Sequence, residues 1–274
     1  MFEIFQYGFI IRGLEAGIII AIIAPLIGIY LVLKRYSLIA DTLAHVSLAG
    51  IALGMLLKLN LLFSALMATF LSSIIIEKMR ISKKIYSESA LAIFLSGSLA
   101  LAIVLLNFAH GLNSDLFSYL FGSIVTVKQS DVYVIAILGA LVTSFVIGFA
   151  KELKYVAFDE EAAKVSGIPT GAINFILISL SAVTVSLAIP IVGVLLISAL
   201  LVIPVITALQ FRKGFNTTII IAEALSVFSV LAGIISSFYL NLSAGGVIVL
   251  IMIALLILTF IAKSLYNKAQ YASL

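Results

Sequence analysis

Long, continuous apolar runs recur along almost the whole sequence, and they restrict the possible folds more than any other feature. A helix needs about 20 mostly apolar residues to cross a bilayer. Because the runs are continuous rather than alternating, they predict an all-α, polytopic helical bundle and exclude a β-barrel. Hydropathy places the candidate spans at 13–33, 37–57, 60–77, 88–108, 131–150, 172–189, 191–211, 216–238 and 245–262.

The number of spans depends on the division of the stretch 172–211 at Pro190, so eight or nine are expected in a single domain, residues 1–274. The chain is 64% hydrophobic and only 10% charged, whereas soluble domains average about 25% charged residues. These values predict an integral membrane protein. The lack of Cys excludes disulfides and thiolate metal sites.

The distribution of Lys and Arg predicts the orientation of the chain. If the pair 34–35 is cytoplasmic, alternation of nine spans leaves only Arg12, Lys58 and Lys128 of the 16 Lys and Arg residues outside, and the other 13 inside. This is the bias that the positive-inside rule describes. The prediction is an N-terminus outside and a C-terminus inside.

The run 37–57 is long enough to cross the membrane, yet it contains Asp41 and His45. An ionisable side chain at this depth costs about 2.5–3.5 kcal/mol on insertion scales, so it usually has a function. The spacing of four places both side chains on one helix face. A carboxylate and an imidazole that converge in this way suit a divalent cation. The alternative is a structural role, in which the two side chains pair with each other or with neighbouring helices.

Two polar stretches interrupt the apolar pattern. Residues 151–171 form the longest polar segment, in which a short helix is predicted to open at 159–161, continue over 162–165 and end at Gly167 and Pro169. Residues 107–130 have room for a short helix at the outer face, either a gate or an interfacial anchor. The pattern leaves the roles of four further ionisable residues open: Glu15, His110, Asp115 and Glu223, the last favoured as a partner of Lys or Arg.

Several motifs of catalysis are missing from the sequence. It has no G-x-x-x-x-G-K-[ST] phosphate loop, no H-E-x-x-H and no G-x-S-x-G. We therefore expect a transport subunit rather than an enzyme. If ATP drives transport, the ATPase must be a separate chain.

Over most of its length the chain resembles the membrane permeases of the zinc/manganese/iron branch of ABC importers. The resemblance is carried by ADTLAHVSLAGIALG at 40–54, DLFSYLFGSI at 115–124, FDEEAAKVSGIP at 158–169 and VGVLLISALLVIPVITA at 192–208. It departs at Ala49, where many members have proline. The DTLAH form followed by Ser47 looks more like the zinc permeases than the manganese permeases.

The resemblance implies residue roles and partners. Asp41 and His45 fall on the residues that line the cation pathway, and about 158–169 falls on the coupling helix that docks into the ATPase. The family arrangement is a homodimer in a prokaryotic cell membrane, with a cytoplasmic ATP-binding subunit and an extracytoplasmic metal-binding protein. The residues expected at the ATPase contact are Phe158, Asp159, Glu160, Glu161, Ala162, Gly167 and Pro169.

The expected function is ATP-driven import of a divalent metal, with Zn²⁺ favoured over Mn²⁺ or Fe²⁺. No cofactor is expected to bind stably; the metal is the substrate, and ATP binds the partner subunit. Two alternatives from other classes are a proton-coupled secondary transporter, in which Asp41 and His45 relay protons, and a membrane scaffold in which the pair is structural.

Overall fold

The computed structural model describes residues 6–82, 86–108, 120–194 and 196–272, and within these ranges the chain is an all-α bundle without strands, as predicted. A short 3₁₀ turn at Ile124–Thr126 precedes α5. The described helices are α1 Gly8–Leu33, α2 Ser37–Leu57, α3 Leu61–Ile81, α4 Ser87–Phe108, α5 Gln129–Gly148, α6 Ala150–Phe158, α7 Glu160–Val165, α8 Thr170–Val192, α9 Ile197–Leu209, α10 Phe215–Leu240 and α11 Ala244–Ala272.

Eight of the described helices are long and apolar enough to cross a membrane, and α9 is a shorter apolar helix of 13 residues. The predicted division at Pro190 was wrong in detail. Pro190 lies inside the last turn of α8, and the break comes at Gly193, whose φ is 86°. A proline near a helix end forfeits only one hydrogen bond, whereas a residue with positive φ cannot continue a right-handed helix.

The helix α9 still returns the chain from one end of the bundle to the other. At one end, Gly193 lies against the backbone of Gly122. At the other end, Gln210 accepts a hydrogen bond from Lys263 at 3.1 Å. Within the described ranges the chain therefore crosses the bundle nine times, with eight full-length spans and one short one. The membrane orientation of the two ends stays a prediction; we call the end at which α1 and α3 finish the basic end.

The centre of the bundle is formed by α1, α2 and α8, which are the most buried of the spans. The helix α1 packs against α5, α8, α9 and α10, while α2 packs mainly against α3 and α4. A Cβ atom at Gly28 would collide with the carbonyl of Leu201, so glycine permits the close approach of α1 and α9. Close approach through small residues is how membrane helices pack in the absence of a hydrophobic driving force.

The polar segment between α5 and α8 contains two short helices, of which the sequence predicted one. The carboxylate of Asp159 caps α7 by accepting from the backbone N–H of Ala162 at 2.9 Å. Gly167, with φ of 84°, and Pro169 separate α7 from α8, as expected. The predicted helix around 107–130, with His110 and Asp115, falls largely on residues 109–119, which lie outside the described residues.

Candidate functional site

The candidate cation-binding pair lies near the start of α2, on one face and one turn apart. Asp41 and His45 are both half-buried. Within the described part of the chain, neither side chain makes a hydrogen bond or an ion pair, and the Nδ1 atom of His45 is buried without a partner. The predicted alternative, in which the two residues pair with each other or with neighbouring helices, is therefore not formed in these ranges.

The polar neighbours of the pair on α2, Thr42 and Ser47, lie on other sides of the helix. The hydroxyl of Thr42 is buried and donates to the carbonyl of Leu38 at 2.9 Å and lies 3.4 Å from the carbonyl of Leu91 on α4. Ser47 is fully buried, and it lies two positions beyond His45, on a different side of the helix. The resemblance to zinc permeases at Ser47 thus concerns a residue that does not share the face of the pair.

The face that carries Asp41 and His45 continues into an apolar groove. One and two turns beyond His45, Ala49 and Leu53 line a groove of about 490 Å³ between α2, α3 and α4. None of the described residues that line the groove is ionisable. In the described ranges no three His, Cys, Asp or Glu side chains come together as a metal site. A single copy thus places one carboxylate and one imidazole, both half-buried, on this face.

A second polar cluster lies at the basic end, and sequence reasoning missed it. The Nζ atom of Lys34 lies 2.7 Å from Oε2 of Glu160, whose Oε1 accepts from Nδ2 of Asn174 at 2.8 Å. Arg80 forms a two-pronged ion pair with Glu77, at 2.6 and 2.7 Å. Only the spacing of three between Glu77 and Arg80 was visible in the sequence as a possible contact.

Burial acts differently on the two partners of the Lys34–Glu160 ion pair. The Lys34 side chain is 4% exposed and that of Glu160 is 37% exposed. Burial lowers the pKa of Lys34 below its ordinary value, although Glu160 acts in the opposite direction. Burial also raises the pKa of Glu160, but Lys34, Arg80 and Asn174 outweigh it and hold this pKa below its ordinary value. The lysine is the more deeply buried partner, so desolvation costs it more.

The residues expected at an ATPase contact do not all face the same way. Phe158 is 61% exposed, although its ring also contacts that of Phe215 at a centroid distance of 6.0 Å. Glu161 and Gly167 are exposed, Asp159 caps α7, and Pro169 precedes α8. Ala162 is half-buried. The carboxylate of Glu160 is turned inward, because it binds Lys34, the first residue after α1, and Asn174 of α8.

Two isolated acids do not join either cluster. Glu15 is exposed on α1, and Glu223 is half-buried in the third turn of α10. The favoured pairing of Glu223 with Lys or Arg was wrong for the described residues, in which it forms no such ion pair. The reason is geometric: the cations nearest in sequence, Arg212 and Lys213, precede the helix, and Glu223 lies more than two turns, about 12 Å, beyond its first residue.

In the part of the chain that the structure describes, nine crossings, and an ionisable pair without a partner inside one of them, define a multi-pass membrane protein of the transport class. The chain belongs to the ABC 3 transport family, whose sequence model matches residues 6–263. Members of this family are membrane permeases of metal ABC importers, so ATP hydrolysis belongs to a separate chain. The predicted family, helical fold and plasma-membrane location are confirmed.

The relatives agree with this assignment over nearly the full chain. The chain is 34% identical to a probable metal transport system membrane protein of Treponema pallidum, covering 97% of this chain and 99% of the relative. It is 31% identical to the manganese import system permease ScaB of Streptococcus gordonii, covering 93% and 91%. In the solved structure of PsaBC from Streptococcus pneumoniae with a Fab, one chain is 29% identical, with TM-score 0.81 and coverage of 94% and 92%.

Proposed function

We propose that this chain forms the path by which a divalent metal cation enters the cytoplasm, and that Asp41 and His45 bind the cation on its way. The observation that carries the proposal is the pair itself: two ionisable side chains on one face of a spanning helix, with no protein partner in the described residues. Such groups are costly in a bilayer, and those that persist there commonly mark an ion pathway.

The number of ligands favours a site that two copies share. One chain supplies one carboxylate and one imidazole, and two copies related by a two-fold axis would supply four ligands, the number that tetrahedral Zn²⁺ requires. Both side chains are only half-buried in the single chain, so part of each reaches its surface. A homodimer that brings these faces together would complete the site and shield it from lipid.

We propose zinc as the first cation to test, with manganese and iron as the alternatives. Imidazole and carboxylate ligands accept all three cations, and Zn²⁺ binds such sites more tightly than Mn²⁺ or Fe²⁺ in the general affinity order. The relatives do not single out one metal. They include the zinc uptake membrane protein ZnuB and a probable iron transport membrane protein of Haemophilus influenzae, both 29% identical over at least 96% of this chain.

The partners of the proposed importer are a cytoplasmic ATPase and an extracytoplasmic metal-binding protein. The segment α6–α7 supports the first proposal, because it carries the exposed apolar side chains of Phe158 and Val165, which are 61% and 89% exposed. Exposed apolar residues on a short projecting helix suit docking into a groove of a soluble partner. The exposed residues of the segment 158–169, rather than Glu160, are the expected contacts.

Uptake by a reconstituted complex tests this function. The chain is co-purified with its ATPase subunit, placed in liposomes and supplied with Zn²⁺, Mn²⁺ or Fe²⁺, with and without ATP. Wild type is compared with Asp41→Asn/His45→Gln, and with Glu88→Gln, which changes an exposed acid at the start of α4. We expect ATP-dependent uptake of at least one cation in wild type and the control, and its loss in the double variant while the complex still assembles.

Two other results would contradict the proposal. Uptake driven by a proton gradient without any ATPase would indicate a secondary transporter. Normal uptake by Asp41→Asn/His45→Gln, together with a lower melting temperature, would indicate that the pair is structural.

A further inference from the structure

We propose that Glu160 is a positioning residue through which α7 controls the N-terminal end of α2, and hence the position of Asp41. The inference rests on the proposed function, since it assigns a role within the same transport cycle. The path runs from Glu160 through Lys34 and Arg80 to Tyr36, the residue that precedes α2. Asp41 follows Tyr36 by five residues, about 7.5 Å along a helix axis.

Glu160 joins α7 to three spanning helices at once. Its Oε2 lies 2.7 Å from Nζ of Lys34, the first residue after α1. Its Oε1 accepts from Asn174 of α8 at 2.8 Å and lies 3.6 Å from Nη1 of Arg80 on α3. Glu160 is the first residue of α7, so the start of this helix is held where it enters the bundle.

Arg80 carries the connection on to α2. Its Nε and Nη2 atoms bind both carboxylate oxygens of Glu77, which fixes the plane of the guanidinium. Its Nη1 atom donates to the hydroxyl of Tyr36 at 3.0 Å. The backbone carbonyl of Tyr36 accepts from the N–H of Ile39 in the first turn of α2, at 2.9 Å. A displacement of Arg80 is therefore transmitted to α2 through the side chain of Tyr36.

The turn between α1 and α2 gives a second, covalent connection. Only residues 34–36 separate the two helices, and the N–H of Tyr36 donates to the carbonyl of Leu31 at 2.7 Å. Arg35 adopts φ of 59° in this turn. Because the turn is short and hydrogen-bonded, a force on Lys34 acts on the start of α2 as well as on the end of α1.

Burial of three of its four charged side chains makes the cluster a firm connection, whereas Glu160, at 37% exposed, is the partner that water reaches. The side chains of Lys34 and Glu77 are 4% and 2% exposed, and that of Arg80 is 16% exposed. The positive charges of Lys34 and Arg80 equal in number the negative charges of Glu77 and Glu160. Separating a buried charge from its partner is costly, because no water replaces the lost contact. Exposed ion pairs, in contrast, contribute little and rearrange freely.

One other contact of the segment reaches the same turn, because the backbone carbonyl of Val156 on α6 accepts from Nζ of Lys34 at 3.5 Å. On the α6 side, the ring of Phe158 contacts the ring of Phe215 of α10. The Nζ atom of Lys154 lies over the same Phe215 ring, 5.0 Å from its centroid. Phe215 in turn contacts Tyr30 of α1. This aromatic group anchors α6 to α10, which carries neither member of the cation-binding pair. Glu160 therefore provides the charged side-chain route towards Asp41, with a shorter contact to Lys34 than that of the Val156 carbonyl and a second contact to Arg80.

The first experiment measures the number of metal ions taken up per ATP hydrolysed by the assembled complex in liposomes. The variants are Glu160→Gln, which removes the charge, Tyr36→Phe, which removes a single hydroxyl, and the control Glu88→Gln. Mutations in coupled networks change coupling by about 0.5–2 kcal/mol, or roughly 2- to 30-fold. We expect the ratio to decrease by a factor within that range in both test variants. Glu160→Asp should recover part of the lost uptake per ATP.

The second experiment follows α2 directly. The chain has no cysteine, so Leu38→Cys introduces a unique thiol in the first turn of α2, at a residue that is 41% exposed. The rate of its modification is measured with and without a non-hydrolysable ATP analogue. We expect the nucleotide to change this rate in the Leu38→Cys complex and to change it much less when Glu160→Gln is added. A purely structural role of Glu160 would leave this difference intact.

Two outcomes would overturn the inference: an unchanged ratio of uptake to hydrolysis in both test variants, or a nucleotide response at Leu38→Cys that persists with Glu160→Gln. If Glu160→Gln does not assemble, Tyr36→Phe decides in both experiments. Failure of the proposed function is distinct, because wild type itself would then move no divalent cation with ATP.

Discussion

The hydroxyl of Thr69 on α3 lies 2.8 Å from the hydroxyl of Ser186 on α8, and both side chains are fully buried. Thr69 also donates within its own helix, to the carbonyl of Ala65 at 2.9 Å. The interface between α3 and α8 thus contains a hydrogen bond between two spans. In a bilayer such a bond replaces an unsatisfied group in hydrocarbon, so it fixes the register of the two helices.

Ser186→Ala should lower the stability only modestly. The hydroxyl of Thr69 retains the acceptors on its own helix, so no donor is left unsatisfied, and interhelical bonds of this kind average about 0.6 kcal/mol. We expect a loss on the order of 0.5–1.5 kcal/mol in unfolding measured in detergent micelles. Thr69→Val alone and the double variant complete a cycle. Losses that simply add would show that the two hydroxyls do not interact.

Gly28→Ala should disrupt the bundle far more than its size suggests. The added Cβ would meet the backbone carbonyl of Leu201, which cannot move without shifting α9. We expect a loss of about 1–3 kcal/mol, typical of overpacking, and a lower yield of folded protein. Gly97→Ala on α4 is the matched control. A Cβ there meets nothing within 4 Å, so this change should be neutral or stabilise by up to about 1 kcal/mol. Equal melting temperatures of the two variants would refute the expected close packing.

The sequence was sufficient for the parts of the fold that depend on local patterns. The run 37–57 was predicted with the bounds that α2 has, because apolar length alone defines a span. The helix at 160–165 was predicted from its acidic start and Gly167. The pair Asp41 and His45 was found from its spacing and its apolar surroundings, which are local too.

What the sequence could not provide was contact between distant residues. Lys34 and Glu160 are 126 residues apart, and no period or motif relates them. Glu160 was interpreted from the sequence as one acid among three on an exposed helix start, a role that Glu161 fits. The break at Gly193 was also missed, because Pro190 is the stronger local breaker. The effect of Pro190 on the helix was small because this residue lies in the last turn of α8.

The ion pair of Glu160 predicts how stability depends on pH. The pKa of Glu160 is lowered in the folded protein relative to its ordinary value of 4.5. The ionised form is therefore favoured by folding, and its contribution is complete above about pH 4.5 and is lost as pH falls through the folded pKa. We expect wild type to be more stable than Glu160→Gln near neutral pH, with the difference shrinking below pH 4.5. Melting temperatures of both proteins in detergent from pH 7 to pH 3 measure this difference. A difference that stays constant across the range would show that the charge of Glu160 does not contribute.

Exchange of the imidazole of His45 for a softer or a harder ligand should change which cation is transported. Zn²⁺ binds thiolates well, whereas Mn²⁺ prefers carboxylate oxygens. His45→Cys should therefore raise the ratio of Zn²⁺ to Mn²⁺ taken up by the reconstituted complex, and His45→Asp should lower it. The chain contains no other cysteine that could bind zinc in the first variant. Leu53→Cys, two turns along the same face in the apolar groove, controls for a thiol that merely lies nearby, and it should leave the ratio unchanged. A ratio that is the same in both His45 variants and in wild type would mean that the imidazole does not touch the cation, even if total uptake fell.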